Sequence, residues 1–121
     1  MHEYSLVRAL LDQVEREAHA RGASAVHKLG LKIGALAGVE PELLASAYDL
    51  CREGTLCAAA ELEIETVPAR WACGECGRPI RQGAALRCPG CAVPARLTSG
   101  DEILLERIEM EVPDVRQLRL R

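Results

Sequence analysis

Four cysteines, Cys73, Cys76, Cys88 and Cys91, stand as two C-x2-C pairs eleven residues apart. Each pair supplies two thiolates spaced for one edge of a tetrahedron, and two pairs complete a closed four-thiolate zinc site. Gly74 lies inside the first pair and Gly77 just after it, while Pro89 and Gly90 fill the second. Such residues ease the tight turns that bring backbone amides up to sulfur. The gap is shorter than usual for paired sites but fits a small ribbon. The competing chemistries are disulfides and a thiol redox pair. A redox C-x-x-C is expected once, beside a βαβ pattern, not twice around a turn-rich loop. Cys51 and Cys57 stand outside the motif, and Cys51 falls at a helical spacing that suits a small buried hydrophobe.

A second constellation is Met1-His2-Glu3. An α-amine titrates near about 8 in short peptides, so it can present a lone pair around neutral pH. The amine, the next peptide nitrogen and the His2 imidazole can close fused chelate rings in one plane, with the Glu3 carboxylate one residue away. Planar nitrogen and oxygen coordination suits Ni(II) or Cu(II), whereas zinc prefers a tetrahedron. Bulky His2 also hinders removal of Met1. The plainer reading is a solvated terminal histidine, and the residues by themselves leave it the default. His19 and His27 take structural readings.

The elements around these groups follow from periodicity. Leu6, Val7, Leu10, Leu11, Val14 and Ala18 make one face of a first helix, with Arg8, Asp12, Glu15 and Arg16 opposite and Gly22 as its stop. Residues 26–33 alternate as a strand, with His27, Leu29, Leu31 and Ile33 on one face and Val26 on the other. Pro41 opens a second helix whose buried stripe is Leu43, Leu44, Ala47, Tyr48 and Cys51. Residues 61–67 form a second strand, with Leu62 and Ile64 inward. Residues 103–112 form a third, with Leu104, Ile108 and Met110 on its apolar side, and residues 113–121 are expected to fray. The expected class is therefore α+β: a small three-stranded sheet with two helices, residues 1–68 and 101–121, plus an inserted four-cysteine zinc-ribbon module, residues 69–100.

Composition sets further bounds. There is no Phe, one Trp and two Tyr, so the core must be aliphatic. The N-terminus lacks the basic and apolar regions of a secretory signal, and no apolar run is long enough to span a bilayer. A cytoplasmic protein with no membrane partner is expected, in a compartment where thiols stay reduced and bind metal. The net charge is −3, with a formal +4 in residues 69–99 and −7 elsewhere. Four thiolates around Zn2+ add −2 and reduce the module to about +2. With Trp71 as its lone stacking residue, the module is a weak nucleic-acid binder, so no nucleic acid is expected. A zinc-ribbon module that binds nucleic acid or protein remains the alternative function. No phosphate-binding loop of the G-x4-G-K-S/T type is present, so any GTP dependence must come from a partner.

The opening MHEYSL, the stretch IGALAGVEPELLASAYDL, the CGEC and CPGC pairs and the later GDEILLERIEME together resemble the HypA/HybF family of hydrogenase nickel-incorporation proteins, in the same order along nearly the whole chain. The resemblance implies a nickel domain with an inserted zinc domain, and a metallochaperone, not an enzyme. Its partners would be a HypB-like GTPase and the large subunit of nickel–iron hydrogenase, with urease a further client in some relatives. A homodimer stays open. Residue by residue, the nickel site maps to the Met1 amine, His2 and its backbone nitrogen, and Glu3, with Glu40 before the second helix as a further candidate. The zinc site maps to Cys73, Cys76, Cys88 and Cys91. Some relatives carry histidines beside these cysteines. This chain has none there, which removes histidine exchange at the zinc.

Overall fold

Helix α1, His2–Ala20, buries Val7, Leu10, Leu11, Val14 and Ala18, the apolar face expected from their spacing. Full burial of such a side chain contributes about 1.5–3 kcal/mol. The helix ends in a Schellman motif: Gly22 sits at φ 67°, its amide reaches the His19 carbonyl and the Ala23 amide reaches that of Ala18. This is a computed structural model, and it describes residues 2–81 and 86–113. The stretch expected to fray lies, beyond Pro113, outside the described residues. Among the described residues no helix is long and apolar enough to cross a membrane.

Strand β1 is Ala25–Gly34, helix α2 Pro41–Cys51, strand β2 Glu61–Val67, and then come β3 (Arg70–Cys73), β4 (Pro79–Ile80), β5 (Ala95–Ser99) and β6 (Ile103–Glu111). One three-stranded sheet has the order β2-β1-β6 and the other β4-β3-β5. The α+β class, the two helices and the first sheet match the sequence pattern. The second sheet escapes it, because strands of two and four residues are too short to show alternation.

The chain forms two compact units. The first comprises Met1–Leu31, Glu40–Ile64 and Leu105–Arg121. Here α1 packs against α2, and Leu29, Leu31, Leu44 and Tyr48 are buried. The Tyr48 hydroxyl and the Arg52 guanidinium both donate to the Ala60 carbonyl at 2.8 Å, and that guanidinium lies 5.3 Å from the Tyr48 ring centre. This knot fixes the chain between α2 and β2.

Four side chains turn opposite to their expected faces. Leu43 is 56% exposed, because the covered stripe of α2 narrows to Leu44, Ala47 and Tyr48. Leu104 is 51% exposed: the half-buried residues of β6 are Leu105, Ile108 and Met110, so its alternation slips by one residue. Val26 is buried and His27 open, and the Val26 amide donates to the Leu56 carbonyl.

The second unit comprises Lys32–Val39 and Glu65–Leu104. Strand β3 pairs antiparallel with β4, Trp71 opposite Ile80, and with β5, Cys73 opposite Ala95. Pro79 falls in β4, at an edge, where a missing N–H is tolerated. At the base of this unit Leu36 donates to the Gly100 carbonyl at 2.6 Å, and Ala35 to that of Val67. A Cβ on Gly34 would come within 2.1 Å of the Gly100 backbone, so only glycine allows this crossing.

Candidate metal centre

The four cysteine Sγ atoms lie within 4.8 Å of one another, with Cys73 and Cys88 buried and Cys76 and Cys91 exposed. Two equivalent turns bring them together. In the first, the Cys73 amide bonds the Arg78 carbonyl and the Gly77 amide bonds the Cys73 carbonyl. In the second, the Cys88 amide bonds the Val93 carbonyl and the Ala92 amide bonds the Cys88 carbonyl. Gly77 and Ala92 thus occupy matching positions, both left-handed, at φ 76° and 58°. Glycine takes that conformation freely, but alanine does so at a cost.

The electrostatics of the cluster favour a cation. Amides of Glu75 and Cys76 donate to Cys73 Sγ at 3.3 and 3.4 Å. The Cys76 amide most of all, with the Glu75 amide, holds the Cys73 thiol down at about 6 against the effect of burial. Amides of Cys91 and Gly90 lower Cys88 in the same way. Cys91 is pushed up to about 12, chiefly by its hydrogen bonding with the sulfurs of Cys76, Cys73 and Cys88. Sulfurs this close cannot all ionise without a positive charge among them.

The donor set fits zinc. A Zn–S bond of about 2.3 Å implies tetrahedral S···S edges of about 3.8 Å. Cys76 and Cys88 stand 3.9 Å apart at sulfur, far beyond a disulfide bond of about 2.05 Å. Around the cluster, Trp71, Val93 and Ala95 pack on Cys73, Ile80 and Cys88, a core too small to hold a fold without help.

The other candidate residues sit in the first unit. His2 is the first residue of α1 and is exposed. Glu3 is half-buried, and its Oε2 accepts a 3.1 Å hydrogen bond from the Glu40 backbone amide. That bond first, and the residue's own amide next, hold the Glu3 carboxyl below its ordinary value. Glu40 is the N-cap of α2, extended at φ −87°, with Pro41 following and no cap from its own side chain. Glu3 thus supplies a carboxylate where the positive end of α2 favours one. Met1 lies outside the described residues. Among the described residues, the side-chain cluster able to hold a metal is the four cysteines.

Two functional details were not legible beforehand. The Glu3–Glu40 bond links residues 37 positions apart, which no local motif announces. Glu15, offered by the helix pattern as a solvated charge, instead accepts from the Leu56 amide at 2.9 Å. Cys57, outside the cysteine motif, is wholly buried, and Cys51 is half-buried.

This fold and cluster define a small α+β protein with a four-thiol metal centre. A family model described as hydrogenase/urease nickel incorporation, metallochaperone, hypA, matches residues 1–110. The chain belongs to this HypA family. It is 36% identical to a hydrogenase maturation factor HypA of Shewanella baltica over 92% of this chain and 97% of the relative. It is 39% identical to that of Wolinella succinogenes over 94% and 98%. In structure it is similar to the Ni metallochaperone HypA from Helicobacter pylori, with TM-score 0.70, 27% identity and coverage of 92% and 98%. A second solved HypA protein gives TM-score 0.77 at 27% identity, with coverage of 93% and 98%.

Proposed function

We propose that this chain carries Ni(II) as cargo at its N-terminus, holds Zn2+ among Cys73, Cys76, Cys88 and Cys91, and delivers nickel to the large subunit of nickel–iron hydrogenase in concert with a HypB-like GTPase. The observation that carries this reading is the family match across residues 1–110, which takes in His2, Glu3 and all four cysteines. Urease is a second client of the same chemistry. The work is ligand exchange rather than covalent catalysis, in the cytoplasm.

The cargo donors are the Met1 amine, the His2 imidazole and backbone nitrogen, and the Glu3 carboxylate, with Glu40 in reserve. Because α1 begins at His2, that residue's N–H is among the first four of the helix, which have no carbonyl partner within it. A metal can take this nitrogen without breaking a helical bond. A carboxylate has two oxygens, so Glu3 can keep the Glu40 amide on one and turn the other to nickel. Glu3 is then a natural leaving group when a partner's ligands arrive.

Zinc bound by four thiolates would be closed and structural, tying the two turns together. We assign residues 69–100 to this zinc module and residues 1–68 and 101–121 to nickel binding. Tyr4, Leu43 and Leu50 are exposed and line a cleft with Glu3. An apolar surface beside the cargo supports partner docking there.

The test is direct transfer. Nickel-loaded chain is mixed with the GTPase, GTP and nickel-free hydrogenase large subunit, and the nickel in the re-isolated subunit is counted. Nickel that accumulates only when the chain is present supports the reading. Equal incorporation from the same total nickel without the chain contradicts it.

A further inference from the structure

Strand β4 ends at Ile80, which stands opposite Trp71 of β3. Continuing that antiparallel register sets Arg81 opposite Arg70, and like charges directly opposite destabilise a strand pair. Both arginines are exposed, and both line one cleft of about 380 Å³ with Ala69, Trp71, Pro79 and Ile80. The whole cleft belongs to the second unit. Its walls are tied to β5, because the Thr98 hydroxyl donates to the Arg70 carbonyl and the Ser99 hydroxyl to that of Pro68, each at 3.1 Å. Trp71 is half-buried against the cysteine cluster, so its ring is held in place.

Among the described residues no ion pair includes Arg70 or Arg81. Outside them, residues 82–85 carry no charge and residues 114–121 set three arginines against Asp114, so the excess there is positive as well. The pair therefore calls for an anion from elsewhere. A guanidinium is matched best by a carboxylate or phosphate, which it grips with two parallel hydrogen bonds. The apolar floor between the two cations, Trp71 and Pro79, calls for an apolar group between two anions. Nucleic acid is the poorer fit, since a single strand is held by stacking successive bases and Trp71 is the chain's one tryptophan. A protein segment with carboxylates on either side of an apolar side chain meets both demands. Tryptophan and arginine are also the residue types that carry most of the energy of protein interfaces.

We propose that this cleft docks an acidic segment of a partner protein, with an apolar side chain against Trp71 and flanking carboxylates on Arg70 and Arg81. The site contains no candidate nickel donor, so it stands apart from the cargo reading. The probe is the end-blocked peptide Asp-Leu-Asp-Leu-Asp, titrated into zinc-loaded, nickel-free protein and followed by the emission of Trp71. The expected result is a saturable change that weakens with added salt. In the Arg70→Glu, Arg81→Glu variant, with zinc content and far-UV signal unchanged, binding should weaken at least about tenfold. A peptide with serine for each leucine should also bind at least about tenfold more weakly to the parent. A flat titration to about 1 mM peptide overturns the proposal. Equal binding by the charge-reversed variant or by the serine peptide also overturns it. So does tighter binding of a single-stranded oligonucleotide with the same number of charges, which would give the cleft to nucleic acid.

Discussion

The backbone amide of Glu40 donates a 3.1 Å hydrogen bond to the Glu3 carboxylate, joining the start of α1 to the cap of α2. The protein therefore holds one candidate nickel donor in place through the backbone of another. The bond also depresses the Glu3 carboxyl, and the sign of the effect is definite. A carboxyl lowered in the fold adds stability that is present above its unfolded value, ordinarily 4.5, and is lost as pH falls through the folded one. The Glu40 amide proton should therefore titrate by NMR with a midpoint below 4.5, and Glu3→Gln should remove that step. A midpoint at or above 4.5 contradicts the bond.

Much of this was legible in the sequence, and the rest has physical reasons. The paired cysteines fixed the centre because knuckle chemistry is local: every ligand lies within a few residues of the turn that positions it. The faces of α1 were legible because a nineteen-residue helix repeats its apolar period several times. Leu43 and Leu104 misled, since an apolar residue beside a buried stripe need not be covered. The Glu3–Glu40 bond is long-range and polar, and so leaves no periodic trace. Ala92 could have been read only by laying C-P-G-C-A over C-G-E-C-G, where it falls on Gly77.

That equivalence gives a stability prediction. Ala92 sits at φ 58° where its counterpart is glycine. Ala92→Gly should stabilise the zinc-loaded ribbon by about 0.5–1 kcal/mol, and Gly77→Ala should destabilise it by about 1 kcal/mol. Denaturant unfolding followed at Trp71 measures both. Stabilisation by Gly77→Ala would count against the geometry.

Metal removal should act on one unit. The ribbon's own core is Cys73, Ile80 and Cys88 with Trp71, Val93 and Ala95 around them. Metal binding by such a module is also its folding energy. Chelation should abolish amide protection in β3, β4 and β5 and shift Trp71 emission, while the far-UV helical signal of α1 and α2 persists. A ribbon still protected after chelation has stripped the cluster of metal would contradict this account.

Alkaline pH should weaken the knot between α2 and β2. Burial, with the Glu15 carboxylate adding to it, pushes the Cys57 thiol up to about 11 from an ordinary 9.0. Burial likewise pushes Tyr48 up to about 12 from 10.0. Groups raised in the fold give stability that is complete below the unfolded value and lost as pH climbs through the folded one. For Cys57 the loss should begin near 9 and reach about 1–2 kcal/mol by about 11. Thermal unfolding across this range should fall less steeply in Cys57→Ala, and identical slopes would refute the assignment.

The central claim is nickel at the N-terminus, and nickel titration of untagged, zinc-loaded protein beside His2→Ala tests it most directly, with zinc counted separately. A tag would block the amine. The account predicts that the variant keeps its zinc and loses nickel affinity by more than about a hundredfold, beyond the 10–100-fold typical of outer-sphere changes. Nickel binding by His2→Ala at the parent's affinity, with zinc unchanged, would contradict it.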